Sequence, residues 1–188
     1  GANIGYYSVI ISKLIGESGR VYAFEPTQHF GEILKNNLNA NNINNVEILE
    51  YGLSNKKQDL EIDIGPSSAT IHSPEGYDTV MSKESIKLTT LEEFIRERGF
   101  NKIDFIKIDI EGAEFKAFNG MKKILQSNSN LKIFTEITPL LLDNANSTVS
   151  NVLDFLADYK FTNIFLSDNR KKLVLETRKE QVVDNTSM

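Results

Sequence analysis

The first residues of the chain have the types and the spacing needed to bind a nucleoside. Gly1-Ala2-Asn3-Ile4-Gly5 is a short loop framed by glycines, and an amphipathic helical pattern begins directly after it. Because glycine has no Cβ, such a loop can bring backbone N–H groups close to a ligand, and at a helix N-terminus these groups have no partner within the helix. Glu25 follows Gly5 by 20 residues, at the end of an apolar β-rich run. This is the spacing of a nucleoside-binding α/β unit, in which the acid accepts hydrogen bonds from ribose hydroxyls.

Further carboxylates follow other apolar runs. Asp109 and Glu111 come at the end of the apolar run 103–109, directly before a helical pattern, and Glu136 lies in the run 131–137. A carboxylate at the start of a helix is stabilised by the helix dipole, so Asp109 and Glu111 are either helix caps or groups that face a bound cofactor or acceptor. Glu136 is either an acid near the substrate or a surface charge. Glu114, one turn into the helix, is expected at the surface.

His72 is a further candidate for proton transfer. An imidazole titrates near neutral pH and suits a general base. His72 lies in an irregular stretch that is interrupted by Pro66, Pro74 and Gly76. A single histidine in such a stretch is also consistent with a solvated side chain at the surface.

The pattern of elements predicts how these residues are positioned. Strand and helix patterns alternate to about residue 158, which indicates an α/β fold with a mostly parallel sheet and helices on both faces. The runs 161–166 and 172–175 predict an antiparallel hairpin that closes the sheet. In a nucleoside-binding unit the glycine loop follows a strand, so we expect that the first strand is missing from this chain, which is then an N-terminally truncated single domain over residues 1–188. A β-rich insertion is expected at about 56–89, with an irregular loop around 67–85 that is either a substrate lid or plain surface.

Three helices are predicted in more detail. The first follows Gly5, and the residues predicted on one face of it are Ile4, Tyr7, Ser8, Ile11, Leu14 and Ile15. Another begins at a capping box formed by Thr90 and Glu93. A third runs continuously over residues 113–126. Ligands of parallel sheets bind beyond the carboxyl ends of the strands, so the polar residues at those ends should converge on one edge. They are Gly1 to Gly5, Glu25, Ser54, Asn55, Asp109, Glu111 and Glu136.

Composition excludes several classes of protein. The 188 residues carry a net charge of −5, with 40% apolar and 25% charged residues, which is typical of a globular domain and disfavours a nucleic-acid partner. The chain has no cysteine and two histidines, so disulfides and cysteine-ligated metals are excluded and a histidine-rich zinc site is disfavoured. No apolar run has the length of a transmembrane helix and no signal peptide is visible, so we expect a cytoplasmic protein.

Taken together, these motifs resemble a known family of enzymes. The segments GANIGYYS at 1–8, VYAFEP at 21–26 and DFIKIDIEGAE at 104–114 are similar to those of the FkbM-type S-adenosylmethionine-dependent methyltransferases. TLEEF at 90–94 and the pair Asn119-Gly120 also resemble that family. The block KIDIEGAE is the most specific of these segments, because many nucleoside-binding proteins share a bare glycine loop.

The resemblance implies a class I methyltransferase fold, S-adenosylmethionine as cofactor, and methyl transfer to an oxygen of a small molecule or carbohydrate. It places Gly1, Asn3 and Gly5 along the methionine part of the cofactor, Glu25 at the ribose and Ser54 or Asn55 near the adenine. Asp109 would face the sulfonium side. Asp109, Glu136 or His72 would be the general base. The mechanism requires no metal, although a carboxylate-bound Mg²⁺ is compatible with it.

Two other functions remain open at the level of sequence. A nicotinamide-dependent oxidoreductase shares the glycine loop and the acid, but GANIG does not match G-x-G-x-x-G. A degenerate methyltransferase fold without cofactor would be a non-catalytic binding module.

Overall fold

The protein is described by a computed structural model covering residues 1–71, 73–74, 79–100, 102–161, 163–167 and 172–176. Its helices are α1 (Tyr6–Ile15), α2 (Gln28–Ala40), α3 (Leu91–Arg98), α4 (Glu114–Asn119), α5 (Lys122–Ser127), α6 (Pro139–Asn144) and α7 (Val149–Asp158). Its strands are β1 (Val21–Phe24), β2 (Val46–Leu49), β3 (Gly52–Leu53), β4 (Gln58–Ile64), β5 (Ala69–Thr70), β6 (Ser82–Thr89), β7 (Phe105–Ile108), β8 (Lys132–Thr135), β9 (Asn163–Ser167) and β10 (Lys172–Glu176). Within these ranges no helix is both long enough and apolar enough to cross a lipid bilayer.

The strands form an α/β arrangement with parallel pairs and a closing hairpin, as predicted. β1 and β2 pair in parallel, and so do β7 and β8. β10 pairs antiparallel with both β8 and β9, which gives the order β7-β8-β10-β9. In the described part of the chain, β1–β2 and this four-stranded sheet are not joined by a hydrogen-bonded strand. The strand that we expect ahead of Gly1 stays a prediction.

Helices cover both faces of β1, because successive side chains of a strand point to opposite faces. Ala23 packs with Leu34 of α2 on one face. On the other face the rings of Tyr22 and Phe24 lie 5.2 and 5.1 Å from the ring of Phe94 in α3. The main core continues from there through α4, α5, α7 and the inward side chains of β7 and β8.

The segment predicted to be rich in β-structure forms a third sheet, in the order β3-β6-β4-β5. Ile62, Ile64 and Ile86 from this sheet form a small core with Phe30 of α2. The sheet therefore packs beside the helix that follows Glu25. The stretch 67–85, predicted to be irregular, contains β5 and the start of β6.

The predicted face of α1 is only partly correct. Ser8 of that face is buried, but Leu14 is 80% exposed, and Ser12, which was not predicted on it, is buried. The reason is a polar contact: the Ser12 hydroxyl donates to Asn45 Oδ1 at 2.5 Å, and the Asn45 amide donates to the carbonyls of Ser12 and Gly16. These bonds hold Ser12 in its inward position.

The continuous helix predicted over 113–126 is also wrong, since α4 ends at Asn119 and α5 begins at Lys122. A Cβ at Gly120 would lie 1.9 Å from the Ser54 carbonyl oxygen, so the chain changes direction where two backbone segments meet. At Thr90 half of the capping box forms, because Glu93 N–H donates to Thr90 Oγ1 but the Glu93 carboxylate accepts from Thr89 Oγ1 instead.

Candidate active site

The glycine loop lies between the carboxyl ends of β1 and β7. Ala2 N–H donates to the carbonyl of Phe24, the last residue of β1, at 2.9 Å. The Gly1 amine donates to the carbonyl of Asp109, directly after β7, at 3.0 Å. A Cβ at Gly1 would lie 3.2 Å from the Asp109 oxygen, so glycine permits this close approach. Two strand ends therefore determine the position of the loop.

Glu25 ties the same loop to the end of β1. Its side chain is buried, with 4% exposure. Oε2 accepts from Asn3 N–H at 2.7 Å, and Oε1 accepts from the Thr27 N–H and hydroxyl at 3.2 and 2.7 Å. An ionised carboxylate has about four acceptor positions. These three bonds leave one position at Oε2, which a ligand hydroxyl could use.

Gly5 is the N-cap residue of α1, directly before Tyr6. Its φ of 89° is in the left-handed region, and no side chain caps α1. A Cβ at Gly5 would lie 2.4 Å from Leu34 Cδ1. The absence of a side-chain cap leaves the first turn of α1 available to a ligand.

Asp109 and Glu136 lie side by side at the ends of the two parallel strands β7 and β8. Ile108 pairs with Thr135, and Glu136 N–H donates to the Ile108 carbonyl at 3.1 Å. The Asp109 side chain is 29% exposed, and Glu136 is partly buried. The alternative that Asp109 or Glu111 caps a helix is wrong, because α4 begins only at Glu114 and has no side-chain cap.

Lys107 is a residue of this site to which sequence reasoning assigned no role. Its Nζ lies 3.1 Å from Asp109 Oδ2 and 3.3 Å from the Gly1 carbonyl oxygen. A lysine in the otherwise apolar run Phe105–Ile108 was the signal that could have identified it.

Glu114 is buried, with 2% exposure, and the expectation of a surface position is wrong. Its Oε1 accepts from Ile110 N–H at 2.8 Å. This bond closes the turn after β7, in which Glu111 and Gly112 have φ values of 54° and 96°. Burial raises the pKa of the Glu114 carboxyl above its ordinary value.

Ser54 and Asn55, the residues predicted near the adenine, directly follow β3. Gly52, at the start of β3, approaches Pro26, which follows Glu25. Ser54 is buried, with 3% exposure, and its hydroxyl donates to Asn55 Oδ1 at 3.3 Å, while Asn55 is exposed. His72 lies outside the described residues, so its role as a base stays a prediction.

The third sheet also touches the glycine loop, a contact that sequence reasoning missed. The Asn3 amide donates to the Ser67 carbonyl at 2.9 Å. Glu84 of β6 accepts from Gln28 N–H, at the first turn of α2, at 2.7 Å. Such long-range contacts leave no signal in the local sequence. They place the insertion against both the loop and the helix that follows Glu25.

The arrangement fits a nucleoside-bearing cofactor. A loop without side chains at Gly1 and Gly5, an uncapped helix terminus and an acid with a remaining acceptor position are the parts such a ligand needs. In the part of the chain that the structure describes, no group of three or more acidic or histidine side chains could hold a metal ion.

Comparison with known proteins supports the same assignment. The profile of the family described as "Methyltransferase FkbM domain" matches residues 1–162. Hexuronic acid methyltransferase AglP from Haloferax volcanii is 30% identical over 130 residues, which is 68% of this chain and 50% of that protein. Methyltransferase sdnD from Sordaria araneosa is 26% identical over 151 residues, covering 64% of this chain and 58% of that protein. The chain thus spans between half and three fifths of the curated relatives that it matches.

Two solved structures share the fold. Methyltransferase FkbM from Methylobacillus flagellatus superimposes with a TM-score of 0.62 at 17% identity, over 95% of this chain and 42% of that chain. A SAM-dependent methyltransferase from Aquifex aeolicus gives a TM-score of 0.53 at 16% identity, over 95% and 79% of the two chains. The predicted class I methyltransferase fold is therefore confirmed.

Proposed function

Since this chain belongs to the FkbM family of methyltransferases, we propose that it uses S-adenosylmethionine to methylate a hydroxyl oxygen of a small molecule or carbohydrate. The observation that carries the proposal is the attachment of one glycine loop to the ends of two strands. Glu25 holds the loop through Asn3, and the Asp109 carbonyl holds it through Gly1. The cofactor supplies a methyl carbon already activated by bonding to positively charged sulfur.

The glycine loop and the strand ends around it, here called the loop edge, would bind different parts of the cofactor. Gly1, Asn3 and Gly5 would lie along the methionine part of the cofactor, and Glu25 would receive a ribose hydroxyl at the remaining position of Oε2. Ser54 is buried, so the exposed Asn55 is the better placed of the two to meet the adenine with its side chain. The uncapped first turn of α1 favours a negatively charged group such as a carboxylate.

The protein itself would align the acceptor with the methyl group and accept the proton of the acceptor hydroxyl. Asp109 and Glu136 end neighbouring strands, and both carboxylates are partly exposed, so either can accept a proton from an acceptor hydroxyl. The Lys107 ammonium pairs with Asp109, and both Asp109 and Glu136 stay candidates for the base. His72 stays a further candidate.

The relative from Haloferax volcanii is named for hexuronic acid, so sugar acids are the first acceptors to test. The chain would be incubated with isotope-labelled S-adenosylmethionine and a panel of hexuronic acids, neutral hexoses and small hydroxylated molecules. Mild alkali distinguishes the products, because it cleaves a methyl ester and leaves a methyl ether intact. We expect an alkali-stable product. An alkali-labile product would place the methyl group on a carboxylate and contradict hydroxyl methylation, and labelling of no acceptor would count against the activity.

A further inference from the structure

We infer that Lys107 is a positioning residue of this site, whose ammonium sets the geometry of both the glycine loop and Asp109. The inference rests on the proposed function and goes beyond it, since the roles proposed for the glycine loop and the strand-end acids do not include a role for Lys107. The Lys107 side chain is 12% exposed.

Three contacts of Lys107 suit a cation. Nζ lies 3.1 Å from Asp109 Oδ2, 3.3 Å from the Gly1 carbonyl oxygen and 4.9 Å from the centre of the Tyr7 ring. An ammonium has three N–H donors, which match one carboxylate, one carbonyl and one aromatic face. Burial of a charge is costly unless it is paired in this way. The contacts therefore form a built site for the cation.

The three partners come from three different parts of the chain. Gly1 belongs to the glycine loop, Tyr7 to α1, and Asp109 to the turn after β7. Lys107 itself lies on β7, which positions it at the junction of all three. Without the ammonium, the Gly1 carbonyl would lose a donor and the Asp109 carboxylate would lose its counter-charge, so both groups would be held less firmly.

The chain contains a matched control pair with the same spacing. Lys102 and Asp104 also stand two residues apart, with Nζ 2.6 Å from Oδ1, but their side chains are 75% and 76% exposed. An exposed ion pair contributes little, because water screens the charges. A substitution at Lys102 thus tests loss of a lysine and its ion pair at the surface, while a substitution at Lys107 tests loss of the partly buried cation.

The experiment measures binding of S-adenosylhomocysteine by calorimetry to wild type and to the variants Lys107→Met, Lys107→Arg and Lys102→Met, with thermal unfolding as a check of folding. We expect Lys107→Met to weaken binding by about tenfold or more and Lys102→Met by less than about twofold. Lys107→Arg keeps a cation that can donate to both oxygens, although its guanidinium is larger, so it should bind more tightly than Lys107→Met. Methionine keeps most of the apolar stem, so a purely structural contribution of the stem would leave the affinity of Lys107→Met close to that of wild type.

Three results would overturn the inference. The first is a folded Lys107→Met variant that binds like Lys102→Met, and the second is a Lys107→Arg variant as weak as Lys107→Met. If Lys107→Met does not fold because Asp109 is stranded, Lys107→Met is compared in the Asp109→Asn background, where we expect a further loss of about threefold or more from the freed Gly1 carbonyl. The third contradicting result is that Lys107→Met causes no further loss of affinity in the Asp109→Asn background. Failure of wild type to bind the ligand would instead reject the proposed function, and this inference with it.

Discussion

The most informative perturbation of the loop is Glu25→Gln, which keeps the size of the side chain and removes its charge. In wild type, Oε2 accepts from Asn3 N–H, while Oε1 accepts from both donors of Thr27. A glutamine has one carbonyl oxygen and one NH₂ group. Whichever way the amide is turned, its NH₂ group meets an N–H or O–H donor that the carboxylate had accepted.

The magnitude follows from these contacts. Loss of one hydrogen bond to a charged group costs about 1.5–3 kcal/mol, and Glu25 is 4% exposed, so water cannot easily replace it. For a chain of this size a loss of about 2 kcal/mol corresponds to a fall in Tm of about 4–8 °C. Binding of S-adenosylhomocysteine should weaken by about tenfold or more, because the same change frees the loop and alters the proposed ribose acceptor.

Urea unfolding followed by circular dichroism gives the stability, and calorimetry gives the affinity. Glu17→Gln is the control, since it makes the same substitution at an exposed glutamate that follows α1. It should change the free energy of unfolding by less than about 0.5 kcal/mol. If Glu25→Gln unfolds at the same urea concentration as Glu17→Gln, then Glu25 does not hold the loop and the reasoning is refuted.

Three further predictions concern particular side chains. Gly5→Ala should destabilise the fold by more than Gly16→Ala in urea unfolding, because both glycines have positive φ but only the Cβ at Gly5 would strike Leu34; equal losses would contradict this. Glu114→Gln removes a carboxyl whose pKa burial raises, so wild type should lose stability relative to the variant as pH rises from about 4.5 through that raised pKa, and a difference independent of pH would be evidence against it. Leu14→Glu should leave the Tm within about 2 °C of wild type, since Leu14 is 80% exposed, and a large fall would show that this face is covered.

The position of the loop edge could be predicted from the sequence, because it depends on local motifs and on the parallel direction of the strands. A glycine loop, an acid at the end of the next strand and acids at later strand ends meet on one edge whenever the strands run parallel. Hydrogen bonds join the loop to the Asp109 carbonyl through Gly1 and to the Glu25 carboxylate through Asn3, and Glu136 lies beside Asp109. Hydrophobic periodicity sufficed for this, since it requires no knowledge of side-chain partners.

The errors arise where a distant partner decides the outcome. The inward turn of Ser12 depends on Asn45, and the break after α4 depends on the approach of Gly120 to Ser54. Glu114 is an exception, because its partner, the Ile110 N–H group, lies only four residues before it. Periodicity assigns an apolar stripe to a helix, but it does not indicate which polar side chains find partners inside. The pair Asn119-Gly120 was a readable signal for the break.

The central claim is that this loop edge binds the cofactor of a methyltransferase. Calorimetric titration of the chain with S-adenosylhomocysteine, and separately with NAD, tests it most directly. The account predicts one binding site for S-adenosylhomocysteine, weakened in Glu25→Gln, and no binding of NAD. Binding of NAD alone would contradict the account in favour of an oxidoreductase, and a folded chain that binds neither ligand would contradict it in favour of a non-catalytic module.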